Sequence, residues 1–315
     1  MAGKSRTSHR WTRSALSQVS AVILVVLASA VSSAQPSPRA GVGLTEPISL
    51  SRSELLPDAP GFVSDAVVEP QPTSTAPVRS QRETDLACQS GALHGKTCRA
   101  HWLPILWQSF EITAAENLGN IAFDEETRHD LVTNPYWSTY VKCVKQFRYD
   151  QWRDDDSFMV DYVAHGLQGA IVSYIFEQNS PTGRGLVYVN NGNYWRSRLK
   201  GMAWSAVYEV QWKIGPASEA SIGNSGLNTY YTPRVKGRST NETGFQDFVD
   251  TPVVGFWWNV GEDALDRFLM PKVWSRTHNK WVLAAVSVMT PSKAAANMLR
   301  YKPPYYRDFP ITPLR

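Results

Sequence analysis

A histidine and two polar neighbours interrupt an otherwise apolar stretch of the sequence, residues 158–176. Asp161, His165 and Gln168 fall at i, i+4 and i+7, which is one stripe of an α-helix. An imidazole can transfer protons near neutral pH or bind a metal ion. A helix that is apolar apart from one narrow polar stripe is typically buried, with that stripe against other polar groups. We therefore expect further ionisable side chains to meet this stripe.

Two later apolar segments provide such partners. Glu209 is the single carboxylate of residues 197–214. Residues 245–269 carry a polar stripe at helical spacing, which consists of Asp247, Thr251, Gly255, Trp258 and Glu262. Gly255 in this stripe allows the close approach of a neighbouring helix. We predict that the three helices share one polar cluster. Its candidate catalytic residues are His165, Glu209 and Asp247, and its supporting residues are Asp161, Gln168, Thr251 and Glu262.

The cluster has three interpretations. The first, which we favour, is a buried network whose members satisfy one another's hydrogen bonds and determine which helices pack together. One histidine with two or three carboxylates also suits Zn, Fe or Mn, so a bound metal stays an open question; no other cofactor is predicted. The third is acid–base hydrolysis by a His/Glu pair, although the sequence has no G-x-S-x-G, H-E-x-x-H or P-loop motif.

Three consecutive acids, Asp154, Asp155 and Asp156, precede the histidine-containing helix. Carboxylates at a helix N-terminus stabilise the macrodipole by about 0.3–1 kcal/mol each, so we assign at least one of them to capping. A cation site at Asp154 and Asp156 is the alternative, but the alternating spacing of a calcium loop is absent.

Residues 1–34 have the order of a secretory signal peptide. Four basic residues are followed by an apolar stretch and then by small residues that suit cleavage. If uncleaved, the same segment would be an N-terminal anchor. Its four Lys/Arg and lack of acids account for the whole formal charge of +4. The remaining chain is therefore neutral, and a nucleic-acid partner is not expected because phosphate neutralisation needs a positive surface.

Composition divides the rest of the chain into a linker and a domain. Residues 35–85 contain 8 of the 20 prolines and one aromatic residue, Phe62. They cannot bury enough apolar surface to offset the entropy of ordering, so we predict a disordered Pro/Ser-rich linker. Residues 86–315 contain all 13 Tyr and 11 of the 12 Trp, and we predict that they form a single folded domain.

Two of the three cysteines flank a short loop. For an exported protein, the spacing of Cys88 and Cys98 favours a local disulfide. A metal knuckle that adds His94 and His101 is the alternative, but its spacing matches no standard zinc pattern. Cys143 lies beside aromatic residues on a helical face, and we expect it to be a buried apolar residue.

The periodicity of the domain predicts a mostly α fold. Helices are expected from Pro104 and Pro135 and over about 156–176, 197–214, 245–269 and 291–300. Residues 281–289 fit either helix or strand, and residues 215–244 are predicted to be loop. No segment after residue 35 has the ~20 uninterrupted apolar residues of a conventional membrane span.

The polar positions also form an ordered signature. It consists of W-R-D-D-D-S-F (152–158), His165, Gly169, Gly201, Glu209, Pro216-x-Ser218, Asp247-x-x-x-Thr251-Pro252-x-x-Gly255 and Gly261-Glu262. Over about 150–305 this resembles an uncharacterised bacterial envelope family, a domain of unknown function, and more distantly the VanZ-like membrane proteins. The chain departs from the family where Gly166 follows His165 in place of the usual Pro, and where residues 219–244 look inserted. The resemblance implies export and outer-membrane association, and no activity.

Taken together, the sequence predicts a helical bundle whose apolar helices share an inner polar cluster, preceded by a signal peptide and a disordered tether. We expect an exported protein, in the periplasm or associated with the outer membrane of a bacterium, that lies on or partly in a membrane. Its expected role is structural or in assembly, and its partners are membrane lipid or envelope components; protein partners stay open. A hydrolase acting on envelope lipid or glycan is the alternative.

Overall fold

The computed structural model describes residues 80–123, 125–153, 158–222 and 244–309. The predicted signal peptide, the predicted linker up to residue 79, and Asp154 and Asp156 lie outside these ranges. Within them the chain is mostly helical and contains no strand. The prediction of a mostly α fold is therefore confirmed for this part of the protein.

Eleven α-helices lie in the described residues. They are α1 (Gln81–Ser90), α2 (Trp102–Phe123), α3 (Glu125–Thr133), α4 (Tyr136–Gln146), α5 (His165–Gln178), α6 (Gly192–Ile214), α7 (Glu219–Ile222), α8 (Gln246–Phe268), α9 (Met270–Trp274), α10 (Lys280–Val286) and α11 (Pro291–Met298). A π-helical turn, Met159–Ala164, leads directly into α5. The prediction of a loop over residues 215–244 is wrong where the chain forms α7. Residues 281–289, for which the sequence fits either helix or strand, are helical.

Helix α1 begins at Gln81, inside the segment whose composition predicts a linker. Ser80 and Glu83 form a capping box, in which each side chain accepts a hydrogen bond from the backbone N–H of the other residue. The S-x-x-E pattern signals a helix start, and it is visible in the sequence. The linker prediction overlooked it.

Cys88 in α1 is joined by a disulfide to Cys98, which ends a short 3₁₀ turn. Because both sulfur atoms take part in this bond, they are not available to a metal knuckle with His94 and His101. Cys143 is a buried free thiol, as predicted.

Helix α5 lies at the centre of the bundle, where α6, α8 and α11 pack around it. Its apolar residues form the core with side chains from α2 and α6, among them Ile105 and Tyr208. The contact between α5 and α8 is so close that a Cβ added at Gly169 would lie 1.9 Å from the carbonyl oxygen of Thr251. A Cβ at Gly255 would lie 2.6 Å from the backbone nitrogen of Ala170. The predicted role of Gly255 is therefore confirmed, because only glycine permits this approach.

The polar residues of the bundle are largely inside it, and many large apolar residues are outside. Among the described residues, no helix combines the length and the apolar composition that crossing a membrane requires.

Candidate functional site: a buried acid-rich cluster

The structure brings His165 of α5, Glu209 of α6 and Asp247 of α8 together. One potential ligand atom from each lies within 4.8 Å of the other two. All three side chains are buried, with exposures of 4%, 0% and 1%. The helices are held in register at this point by the close contact of α5 with α8. The residues that the sequence analysis singled out as candidate catalytic groups therefore share one site, and that site is sealed from solvent.

The hydrogen bonds of Gln168 determine which nitrogen of His165 carries the proton. The Nε2 amide of Gln168 donates to Oε2 of Glu116 at 2.8 Å. Its Oε1 oxygen therefore faces Nδ1 of His165, at 3.2 Å, and accepts a hydrogen bond from it. With the proton on Nδ1, Nε2 points at Oδ2 of Asp247 at a distance of 3.3 Å. This contact is favourable when the two groups share a proton or when a cation neutralises Asp247, and the ammonium of Lys213 contacts the same oxygen.

Glu209 is buried without a hydrogen-bond donor. Within the described residues, neither of its carboxylate oxygens accepts a hydrogen bond, and Nδ1 of His165 is 4.0 Å from Oε1. Burial raises the pKa of Glu209 to about 8, against the opposing effects of His165 and Lys213. A buried carboxyl without donors is costly, so this position calls for an explanation in terms of function.

Glu116 of α2 is a second carboxyl with a raised pKa. Burial raises the pKa of Glu116 to about 7, although Gln168 and Tyr208 both donate hydrogen bonds to it. The sequence analysis missed this residue. The signal was present, because Gln108, Ser109, Thr113 and Glu116 share a polar face of α2 at helical spacing.

Lys213 and Glu219 complete the site and were also missed. The ammonium of Lys213 forms ion pairs with Asp247 and, at 2.9 Å, with Glu219 of the short helix α7. Lys213 lies one turn after Glu209 on α6, which could have revealed it. The name acid-rich cluster is used below for Glu116, His165, Gln168, Glu209, Lys213, Glu219 and Asp247.

Two predicted supporting residues lie beside this cluster. Gln246 donates to Oδ2 of Asp161 at 3.1 Å and to Oδ2 of Asp250 at 3.0 Å. Thr251 is fully buried, and its methyl group and carbonyl pack against Gly169. Asp250 points to Gln246, which leaves Asp247 as the acid of α8 that faces His165.

The prediction that Glu262 joins this cluster is wrong. Glu262 accepts hydrogen bonds from the backbone N–H groups of Ser292 and Lys293 and from the Ser292 hydroxyl. It therefore caps the N-terminus of α11, where a carboxylate is favoured by the helix dipole. Although Glu262 shares a stripe with Asp247, 15 residues of helix separate them by about 22 Å.

A second buried group of charges surrounds Glu262 and alternates in sign. Its order is Glu177, Arg198, Asp263, Lys293, Asp266 and Arg307, and we call it the ionic ladder. Arg198 contacts Glu177 at 2.8 Å and Asp263 at 2.6 Å. Lys293 contacts Asp263 at 2.8 Å and Asp266 at 2.6 Å. The guanidinium of Arg307 forms two hydrogen bonds with Asp266.

The ladder joins α5, α6, α8, α11 and the C-terminal segment. Burial alone would raise the pKa of Asp266, but Lys293 and Arg307 hold that pKa below its ordinary value. Sequence reasoning missed the ladder, since its cations lie on other elements than its acids and no local spacing links them.

No protein-family model matches the chain, and neither a curated protein nor a solved structure does. The likeness to the envelope family and to VanZ-like proteins stays a prediction from the sequence. The chemistry of the site rests on its own geometry, which offers one imidazole nitrogen and several carboxylates in the buried interior of the bundle.

Proposed function

We propose that this protein is an exported, membrane-associated component of the bacterial cell envelope with a structural or assembly role. The observation that carries the proposal is that two of its long helices, α2 and α8, are inverted: their exposed residues are apolar, and most of their buried residues are polar.

Helix α2 illustrates the inversion. Every exposed residue between its ends is apolar, and these are Trp102, Leu103, Leu106, Trp107, Phe110, Leu118, Ala122 and Phe123. Its two acids, Glu111 and Glu116, are not exposed. Four of its six buried residues are polar, namely Gln108, Ser109, Thr113 and Asn120, and the other two are Ile105 and Ile112. A helix on the surface of a protein in water normally has the opposite arrangement.

Helix α8 repeats the pattern more strongly. All five of its acids are buried, and these are Asp247, Asp250, Glu262, Asp263 and Asp266. Its exposed positions are Val249, Val253, Trp257, Gly261 and Phe268. Contiguous apolar surface of this kind marks contact with a membrane or a partner protein.

A basic segment next to exposed apolar residues favours lipid over protein as the occupant. Lys272, Arg276 and Lys280 are exposed in the stretch that leads from α9 into α10. Trp281 and Val282 follow directly and are exposed at 64% and 43%. Basic residues beside Trp and aliphatic side chains suit an anionic membrane surface, with the ring at the headgroup level.

Two further features support export. The basic, apolar and small-residue order of residues 1–34 is typical of a signal peptide. The Cys88–Cys98 disulfide suits an oxidising compartment. The sealed position of the acid-rich cluster favours a structural role over the alternative, a hydrolase, because a substrate would need access to His165 and Glu209.

Flotation with lipid vesicles tests membrane association. Purified protein should rise with phosphatidylcholine vesicles through a density gradient, and addition of phosphatidylglycerol should increase the bound fraction. Leu106→Glu with Phe110→Glu places two charges one turn apart on the apolar face of α2 and should reduce binding several-fold, because each charge must be desolvated.

The matched control is Arg196→Glu with Lys200→Glu, which places two charges one turn apart at exposed polar positions of α6. With uncharged phosphatidylcholine vesicles, this pair should bind like the wild type. The proposal would be contradicted if the wild-type protein stayed at the bottom of the gradient. It would also be contradicted if both double variants lost the same fraction of vesicle binding. Self-association without vesicle binding would assign the apolar faces to protein contacts instead.

A further inference from the structure

We propose that His165, Glu209 and Asp247 bind one divalent transition-metal ion of the zinc class, which joins α5, α6 and α8. The inference is independent of membrane association, because it concerns the interior of the bundle. Two observations carry it: the ligand geometry and the carboxyl of Glu209.

The ligand atoms are spaced as a metal ion requires. Zinc binds imidazole nitrogen and carboxylate oxygen at about 2.0–2.2 Å, so tetrahedral ligand atoms lie about 3.3 Å apart. Nε2 of His165 and Oδ2 of Asp247 are 3.3 Å apart, and the Glu209 oxygen lies within 4.8 Å of both partners. Small rotations of the Glu209 side chain would bring its oxygen into the coordination sphere.

Glu209 points independently to a ligand. Its side chain is fully buried, it faces the histidine, and neither oxygen has a hydrogen-bond donor among the described residues. Such a carboxyl is destabilising in either protonation state, because the charged form is desolvated and the neutral form lacks hydrogen-bond partners. A cation bound between Glu209, His165 and Asp247 would satisfy it.

The second layer of contacts resembles that of metal-binding histidines. Such residues donate their other ring N–H to an acceptor, which fixes the tautomer and the ring orientation. Nδ1 of His165 donates to Gln168, and Gln168 is in turn held by Glu116. The lone pair of Nε2 is thereby directed at Asp247, where the ion would lie.

The charges around the site also favour a cation. Among the described residues, the carboxyl groups of Glu116, Glu209 and Asp247 lie close to His165, so a bound cation would meet acidic side chains from α2, α6 and α8. A mixed nitrogen and oxygen ligand set suits zinc, iron or manganese, whereas calcium and magnesium prefer oxygen ligands alone.

Metal content of the full-length chain tests the site. Protein dialysed against EDTA and then against Zn²⁺ should retain about one zinc per chain by elemental analysis, and its melting temperature should rise. Glu209→Gln and Asp247→Asn preserve side-chain shape and should each lower the retained zinc at least ten-fold. Glu262→Gln removes a buried carboxylate that lies outside the acid-rich cluster, and this variant should retain zinc like the wild type.

Wild-type protein that binds no zinc, or zinc that persists in Glu209→Gln, would overturn the inference. Circular dichroism establishes that the variants are folded. If the variants do not fold, a measurement on the wild type alone still tests the site. Co²⁺ bound there should produce visible d–d absorption bands that added Zn²⁺ removes. Absence of these bands, with Co²⁺ in excess, would also overturn it, and zinc that Mg²⁺ displaces would argue for adventitious carboxylate binding.

Discussion

The ionic ladder and the acid-rich cluster are built on the same helices, yet they treat buried charge in opposite ways. In the ladder, three acids alternate with three cations, and Asp263 and Asp266 each contact two cations at 2.6–2.9 Å. In the acid-rich cluster, four carboxyls face Lys213 and His165, and Glu209 lacks a hydrogen-bond donor among the described residues.

The difference indicates that the ladder stabilises the fold and that the acid-rich cluster is a functional site. Buried charges persist when each is paired and hydrogen-bonded, and a paired network specifies which segments pack together. The ladder satisfies this condition at Asp263 and Asp266 and connects α6 and α8 to the C-terminal segment. At its other end, Glu177 contacts Arg198 at 2.8 Å, but burial still raises the pKa of Glu177 to about 8. In the acid-rich cluster, Glu209 does not satisfy it among the described residues, and a buried group of this kind is typical of functional sites. Measurements that disturb one region and spare the other can test this contrast.

The largest effect is expected from the loss of a ladder cation. Arg198→Met should lower the free energy of unfolding by about 3–5 kcal/mol, because it leaves two buried carboxylates, Glu177 and Asp263, without their shared partner. Urea denaturation monitored by circular dichroism measures this. The matched change in the other region, Lys213→Met, should cost less, since Lys213 is nearer the surface and Asp247 keeps His165. Equal costs would mean that the two regions do not differ.

A smaller effect is expected from the pH dependence of stability. The pKa of Glu209 is raised by burial to about 8 in the folded protein, whereas it is about 4.3 in an unfolded chain. Between these values the folded state binds more protons, so this group makes stability fall as pH rises, by up to about 1.4 kcal/mol per pH unit.

Glu209→Gln should remove that contribution. Denaturation between pH 5 and 8, with EDTA present, should show a flatter dependence in the variant than in the wild type. Glu83→Gln, at the exposed N-terminus of α1 and far from the acid-rich cluster in sequence, is the control and should keep the wild-type slope. A variant with an unchanged slope would mean that Glu209 is charged throughout, and the contrast with the ladder would weaken.

The smallest effect concerns the cap that borders the ladder. Glu262→Gln keeps an acceptor oxygen at the start of α11 but removes the charge, and should cost about 0.5–1 kcal/mol of stability. Glu262→Ala also removes the acceptor from Ser292 and Lys293 and should cost more. Thermal unfolding of both variants measures the difference, and zinc retention should be unaffected in either, because Glu262 is no part of the acid-rich cluster.

Much of the fold and part of the site could be predicted from local patterns. The helical spacing of Asp161, His165 and Gln168, and of Asp247 and Thr251, identifies polar stripes on apolar helices. Gly255 in such a stripe indicates a close helix contact, which the structure confirms. These patterns predict that His165, Glu209 and Asp247 lie together, because each polar stripe needs polar partners.

The pairing of particular charges could not be predicted in the same way. Glu262 and Asp247 share a stripe, but a helix carries them about 22 Å apart, so one caps α11 and the other faces His165. Lys213 contacts Asp247 because α6 packs against α8, and Glu219 reaches Lys213 because α7 folds back beside α6.

The sequence by itself determined the helices, their polar stripes and the cysteine pair, since these depend on residues within a few turns of one another. Only the tertiary structure decided which acids are neutralised. Lys293 and Arg307 reach Asp266 across 27 and 41 residues of chain, and Glu209 is left among acids. Pairing over such distances depends on how the helices pack, and the energy of a buried charge depends on every group around it.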